Sequence, residues 1–343
     1  MRFRQQQAEA RKEGRYLGMG MGTYVEATGP APYESCRAKL EESGRVIFDV
    51  AVASQGQGHQ TSFAQIAADT LGVQFDQVVV REGDAARVED GIGTFGSRSL
   101  LLAGNAVAAA ATELKRQIVQ YAADLFECNS ADVIIQAGQV HVAGSPDRSV
   151  SLRDVAMMAN PIGYPGERDG MVVGPAYGDA LLRAKTKPAP APTFEARGYF
   201  GAGQQLYGSG VHAATVEVDP QTGRVQILKY IVVHDCGRII NPAIVEGQIM
   251  GGVAQGIGGA LLERLRWDET GQPQTTSFMD FRLPTAPWRR LAYESPRCRS
   301  SPPMSAGCCA RRWLPSRGRH RRVWTLPRVR HRQDAASAWL GRH

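Results

Sequence analysis

The chain has 343 residues, with 40 Lys and Arg against 33 Asp and Glu and a formal charge of +7. Its length leaves room for about two or three domains with a full core. From Pro287 onward there are 14 Arg, no Lys and two acids, so the body carries −5 and the tail +12; the basicity therefore implies no nucleic-acid or anionic-membrane binding by the body.

The N-terminus is charged and lacks the apolar core of a secretory signal. No stretch reaches the roughly 20 apolar residues of a membrane span. Cys36, Cys128 and Cys236 are scattered singly and Cys308 and Cys309 are adjacent, which is neither a disulfide framework nor a metal-ligand spacing. A reducing cytoplasm is the expected setting.

Residues 1–14 predict an exposed polar helix that leads straight into a Gly-rich strand, "YLGMGMGTYVEATG". The chain thus reads as the middle of something longer. "SGRVIFDVAVAS" alternates with the period of two expected of a strand with one buried face. "GQGHQTSFAQIAADTLG" opens a helix that ends at Gly72, and "VQFDQVVVREGD" returns as a strand. The loop "EDGIGTFGSRS" feeds a long helix, "LLLAGNAVAAAATELKRQIVQYAADLFEC". "VIIQAGQVHVA" predicts a hairpin turning at Gly138, and "SLRDVAMMA" a short helix with Ser151 as its cap. Residues 160–190 are rich in Pro and Gly and form a connector.

"ATVEVDPQTGRVQILKYIVVHD" predicts strand, turn and strand, with Asp219-Pro220 and Thr222-Gly223 at the turn. Asn241-Pro242 then starts a helix over "AIVEGQIMGGVAQGIGGALLERL", and "TTSFMDFRLPTA" is a last extended segment. Helices and strands are mixed without regular alternation, which predicts an α+β fold of mixed sheets with packed helices.

Three Gly-containing segments have chemical potential. Gly56-Gln57-Gly58-His59 and Gly96-Ser97-Arg98-Ser99 each deliver the chain into a helix N-terminus. There free N–H groups and the positive end of the dipole suit an anion. Two such N-termini converging would cradle a diphosphate; equally, both are consistent with ordinary capped helix starts. In the third segment Gln248, Gly252, Gln255 and Gly259 share one helix face, and six glycines lie between 247 and 259. Each costs roughly 1 kcal/mol against Ala in a helix interior, so close approach by a backbone or a ligand is expected.

"GIGTFG" formally fits a dinucleotide fingerprint, but no strand ends at its first glycine, which excludes a Rossmann site. His59 and His234 have no ligand-type neighbours at metal spacing, so no metal ligand is expected; His234 reads as a strand-end residue with a backbone partner. No nucleophile elbow or phosphate loop of the Walker type is present.

"GQGHQT", "GTFGSRS" with "GNAV", and "VHDCGRIINPAIVEGQIMGGVAQGIGGALLE" with "FMDFRLPTA" resemble one family. It is the molybdenum-binding large subunit of the xanthine dehydrogenase / aldehyde oxidase / aerobic carbon monoxide dehydrogenase family, over roughly residues 1–286. The resemblance implies the fold of the second molybdenum-cofactor-binding region. It also implies contacts from Gly56, Gln57, Gly96, Ser97, Ser99 and Gln248 to a molybdenum–molybdopterin cytosine dinucleotide, with Gly58, His59 and Arg98 as secondary candidates. Iron–sulfur centres and FAD are implied on partner subunits or domains, together with a missing N-terminal half that carries the substrate-facing loops. The implied activity is that of an oxidoreductase, hydroxylating an aldehyde, N-heterocycle or related small substrate with water as oxygen source.

In that family the catalytic base is a Glu in a G-x-G-E stretch several tens of residues beyond the "RLPTA" strand. No such stretch occurs here: Glu294 sits in "LAYESPR", and Glu263 lies earlier, on the helix. No catalytic residue is therefore assigned, and losing a general base costs a factor of about 10²–10⁴, so the chain alone is expected to be inactive.

The expected organisation is a cofactor-binding region over 1–286, with two subdomains split near 160–195, and a non-homologous, non-native or disordered tail over 287–343. The tail's Arg, Pro, Ser, Trp and Cys without Lys is what GC-rich coding DNA gives out of frame, so the reading frame is expected to be lost near residue 286. Two rival readings remain: a subunit completed by a separately encoded N-terminal half, and a nucleic-acid binder using the tail. The tail has no helical or aromatic-stacking pattern to support the latter.

Overall fold

The computed structural model describes residues 2–30, 32–88, 90–159, 193–203, 206–285 and 322–326. The predicted connector at 160–190 and, apart from 322–326, the Arg-rich tail lie outside the described residues. These residues form two compact units, one from within 1–26, 208–302 and 318–343, the other from within 27–207. The fold is α+β, as the sequence predicts. Among the described residues no helix is long and apolar enough to cross a membrane.

In the first unit α1 (Arg2–Lys12) precedes β1 (Tyr16–Thr28), which joins β9 (Leu206–Val218), β10 (Val225–Asp235) and β11 (Arg322–Leu326) in the order β1-β9-β10-β11. β10 is antiparallel to both β9 and β11. The sequence does not predict β11, which lies in the tail. The β9–β10 turn is held by Asp219: its N–H donates to Arg224 O (2.9 Å), and its carboxylate accepts from Gln221 N and Thr222 Oγ1. α5 (Pro242–Leu261) starts where predicted, with Asn241 Oδ1 accepting from Ile244 N and Pro242 at the first turn. One face of α5 lays Val253 and Ile257 on Ile227 and Val232 of the sheet. Within 275–286, expected to be extended, residues 277–281 instead turn: Phe281 N–H donates to Ser277 O at 2.9 Å. Ser277 supplies the reason, since its hydroxyl also accepts Met279 N–H and favours the turn.

In the second unit β2 (Glu34–Leu40), β3 (Val46–Val50), β4 (Val78–Glu82) and β8 (Glu195–Phe200) form a sheet in the order β4-β3-β2-β8. β3 and β4 are parallel, and α2 (His59–Leu71) is the crossover between them. That single β-α-β unit sets the loop after β3 at the carboxyl end of a parallel strand and at a helix N-terminus. The expected alternation along β3 fails, because all five of its residues are buried. Asp49 tolerates this because Arg81 holds its carboxylate through two bonds of 2.7 and 3.1 Å.

The long helix α3 (Ser99–Phe126) lays Ala103, Ala106, Ala110 and Ala111, all fully buried, against the sheet. β5 (Val133–Gln136), β6 (Gln139–Val142) and β7 (Ser145–Ser151) form a small antiparallel sheet, turning at Ala137 and Gly138. α4 (Leu152–Ala159) has the predicted cap: Ser151 Oγ accepts Asp154 N–H at 3.1 Å, and the Asp154 carboxylate accepts from Ser151 in return.

Candidate functional site

The two Gly-containing loops predicted from sequence both open helices of the second unit. Residues 51–58 leave β3 and enter α2 through Gly58, whose φ is 73° and ψ 37°. Residues 91–98 enter α3 through Gly93 (φ 107°), Gly96 (φ 54°) and Ser97 (φ 54°). Gly96 is required: besides its positive φ, a Cβ there would stand 2.5 Å from Pro30 Cγ. Ser97, in the same backbone region, has no such freedom and carries local strain.

The two loops run side by side. Thr94 Oγ1 donates to Ala53 O at 2.6 Å and Ser99 Oγ to Thr94 Oγ1 at 3.2 Å, while Gly91 lies against Ala51. α4 and α5 have side-chain caps, whereas α2 and α3 have none. Helix starts reached through glycine and without a side-chain cap fit both readings left open by the sequence. The first-turn N–H groups of α2 and α3 are not taken by a cap side chain, and the two helix starts belong to adjoining loops. At each start the uncapped first-turn amides and the positive end of the helix dipole suit a negative group.

The second loop is clamped from within. Arg98 is fully buried; it donates from Nε to Pro30 O and from Nη2 to Tyr33 O, both at 2.8 Å, and from Nη1 to Gly93 O and Glu34 Oε1. The same Glu34 oxygen accepts the N–H groups of Ile92 and Gly93 at 3.0 Å each. Arg98 therefore leaves the set of ligand-contacting candidates: its guanidinium is spent on an internal ion pair and three carbonyls. His59 also faces inward, 3% exposed and stacked on Phe63 at 5.0 Å.

Gly56, Gly96 and Ser97 are exposed at the loop surfaces and Gln57 is half-buried, its side-chain oxygen accepting Gln55 N–H. The Ser99 hydroxyl is turned inward to Thr94, so what it presents outward is backbone. Gln248 belongs to the other unit, exposed on α5. Among the described residues the expected close approach is made to one of the α5 glycines. A Cβ at Gly247, Gly251, Gly252 or Gly256 would meet nothing within 4 Å, while Gly258 alone packs tightly, on Glu263 and Pro284.

Among the described residues no three His, Cys, Asp or Glu side chains gather as a metal site. His234 lies near the end of β10 in register with Gly210 of β9, and its Nδ1 also meets Tyr24 Oη at 2.5 Å. Burial holds the His234 imidazole below its usual range, with Asp235 opposing the shift. The sequence reading missed Glu34, Thr94 and Glu82, which shape both loops. Glu34 and Glu82 lie in no recognisable motif, Thr94 sits unremarked within GTFGSRS, and each acts on residues remote in sequence.

A family model described as the molybdopterin cofactor-binding domain matches residues 1–287. The nicotine 6-hydroxylase large subunit of Paenarthrobacter nicotinovorans is 37% identical over 295 residues, covering 82% of this chain and 34% of that protein. The carbon monoxide dehydrogenase large chain of Hydrogenophaga pseudoflava is 30% identical, covering 79% and 32%. Among solved structures, quinoline 2-oxidoreductase from Pseudomonas putida 86 aligns with a TM-score of 0.66 at 35% identity, over 83% of this chain and 35% of that one. The chain thus spans about a third of the length of the relatives it matches. On its matched sequence and its fold, the chain belongs to the molybdopterin cofactor-binding domain family, that of molybdenum-binding large subunits of the xanthine dehydrogenase and carbon monoxide dehydrogenase type.

Proposed function

We propose that this chain holds the diphosphate and pterin of a molybdenum–molybdopterin cytosine dinucleotide. In this reading Gly56, Gln57, Gly96, Ser97 and the backbone of Ser99 contact the dinucleotide, and Gln248 is carried over from the resemblance as a further cofactor residue. The observation that carries the reading is the pair of adjoining helix starts, α2 and α3, that lack side-chain caps. The residues fit the group: exposed glycine at 56 and 96 leaves the backbone open to a large anion, and Arg98 stiffens the loop without competing for it. When bound, the cofactor supplies two-electron oxidation chemistry, hydroxylating the substrate with oxygen from water.

Nicotine and quinoline, named in the relatives at 37% and 35% identity, are both N-heterocycles. That favours an N-heterocycle over an aldehyde as the substrate of the assembled enzyme. The chain's own part is binding and orientation, since no family-type general base is present in its sequence. Turnover would require the remainder of a large subunit and iron–sulfur and flavin partners, in the cytoplasm.

Protein purified from a host that makes the cytosine dinucleotide form tests the reading. Acid release is expected to yield pterin and cytidine nucleotide in near-equal amounts from the native chain. Gly56→Val, which places a branched side chain at φ 95°, is expected to lower both by about tenfold or more, roughly 1.4 kcal/mol of binding. Absence of pterin from folded native protein contradicts the binding role. Dye reduction driven by an N-heterocycle or an aldehyde contradicts the inactivity of the chain alone.

A further inference from the structure

The start of α2 contains a buried acid–base pair that the grip on an anion does not itself use. His59 is the first residue of the helix, 3% exposed, and neither of its ring nitrogens has a hydrogen-bond partner. Its Nδ1 stands 3.4 Å from Glu82 Oε1 without hydrogen-bond alignment, and that oxygen is also buried and unpartnered. The other carboxylate oxygen, Oε2, accepts Ser54 N–H at 3.2 Å. Glu82, at the end of β4, thus touches both ends of the segment 54–59 that carries the Gly56–Gly58 turn.

Several charged groups of the neighbouring elements are engaged elsewhere. Arg81 on β4 is paired with Asp49, Asp84 with Arg87, and Arg98 before α3 with Glu34. Lys115 of α3 donates to Thr70 O at the far end of α2. Phe63, one turn along α2, supplies an apolar face to the ring.

We propose that His59 and Glu82 are positioning residues that take up one proton when an anion occupies the N-terminus of α2, so that the hold of the Gly56–Gly58 loop depends on pH. This inference rests on the anion-binding reading above. A buried, unpartnered imidazole beside an unpartnered carboxylate oxygen is a costly arrangement for neutral ligand-free protein. Protonation of His59 aligns the pair as a charge-assisted bond, and a negative group at the adjoining amides favours that proton further. Burial pushes the imidazole below its ordinary range, so the ligand-free ring is neutral near neutral pH. Burial likewise raises the Glu82 carboxyl, opposed by the Ser54 N–H. Linkage then fixes the sign: a site that gains a proton on binding binds more tightly as pH falls.

Inorganic sulfate, whose charge is constant over the range in which histidines titrate, is the probe. The full chain is titrated at about pH 5.5, 6.5 and 7.5, reading the protection of amides 57–61 from hydrogen exchange against sulfate-free protein at the same pH. The half-saturating concentration is expected to rise several-fold across this range, below a ceiling of about tenfold per pH unit for one proton. His59→Gln is expected to remove that dependence while retaining binding, and Glu82→Gln to weaken it. A native protein whose half-saturation is flat with pH overturns the inference, whether or not either variant folds. So does a His59→Gln protein with the native slope. Sulfate protection absent at every pH instead overturns the anion-binding reading, and the pH linkage falls with it.

Discussion

Arg98→Met is expected to destabilise the unit built from residues 27–207 by about 3–5 kcal/mol, the range for removing one partner of a buried ion pair. The physical cost lies in what remains. Glu34 keeps a fully buried carboxylate whose cation is gone, and the carbonyls of Pro30, Tyr33 and Gly93 lose their donors. Because those groups shape residues 91–97, the loop before α3 is expected to loosen with the loss. Hydrogen exchange of the α3 amides measures the change without assuming that both units unfold together. Arg98→Met combined with Glu34→Leu is expected to be less destabilised than Arg98→Met alone, because no unpaired charge is left inside. A double variant with strictly additive losses would show that the ion pair is not what holds the loop.

Gly198→Val is the second large effect expected, about 3 kcal/mol, at the upper end of the range for overpacking. A Cβ at Gly198 would lie 2.3 Å from Ala106 O and 2.4 Å from Ala110 N, both backbone atoms of α3. No rotamer change relieves such a contact; β8 and α3 must separate. The same close approach explains the alanine-rich inner face of α3, where Ala106 and Ala110 are fully buried. Exchange of the α3 amides is expected to rise most at residues 103–114. A variant with native protection there would mean that β8 adjusts at little cost.

Local chemistry made much of this fold legible. Gly58 and Gly72 bracket α2, Ala137-Gly138 turns the small hairpin, Asp219 organises the β9–β10 turn, and Asn241-Pro242 opens α5. Each is a short-range device within a few residues of the element it delimits.

The elements that were not legible depend on distant partners. β2 reads "ESCRAKL", with too many polar residues for a predicted strand, yet it is largely buried. Its Glu34 is paired with Arg98, 64 residues away, and its Arg37 with Glu195, 158 residues away. β7, "SPDRSVS", buries only Val150 and follows its hairpin partner rather than its own pattern. The candidate loops were found through glycine and helix-start chemistry. The inward roles of Arg98 and the Ser99 hydroxyl were not, since sequence shows that a residue can bond but not which way it turns. Open glycines along α5 remain unexplained by any contact among the described residues.

The central claim is that the starts of α2 and α3 grip one anionic group together. Backbone amide signals of the full chain, followed during titration with inorganic pyrophosphate, test it most directly. The account predicts that residues 57–61 and 97–101 respond along a single saturation curve, and that Gly96→Val abolishes the response of both. Two independent curves, or a response confined to one loop, would contradict it.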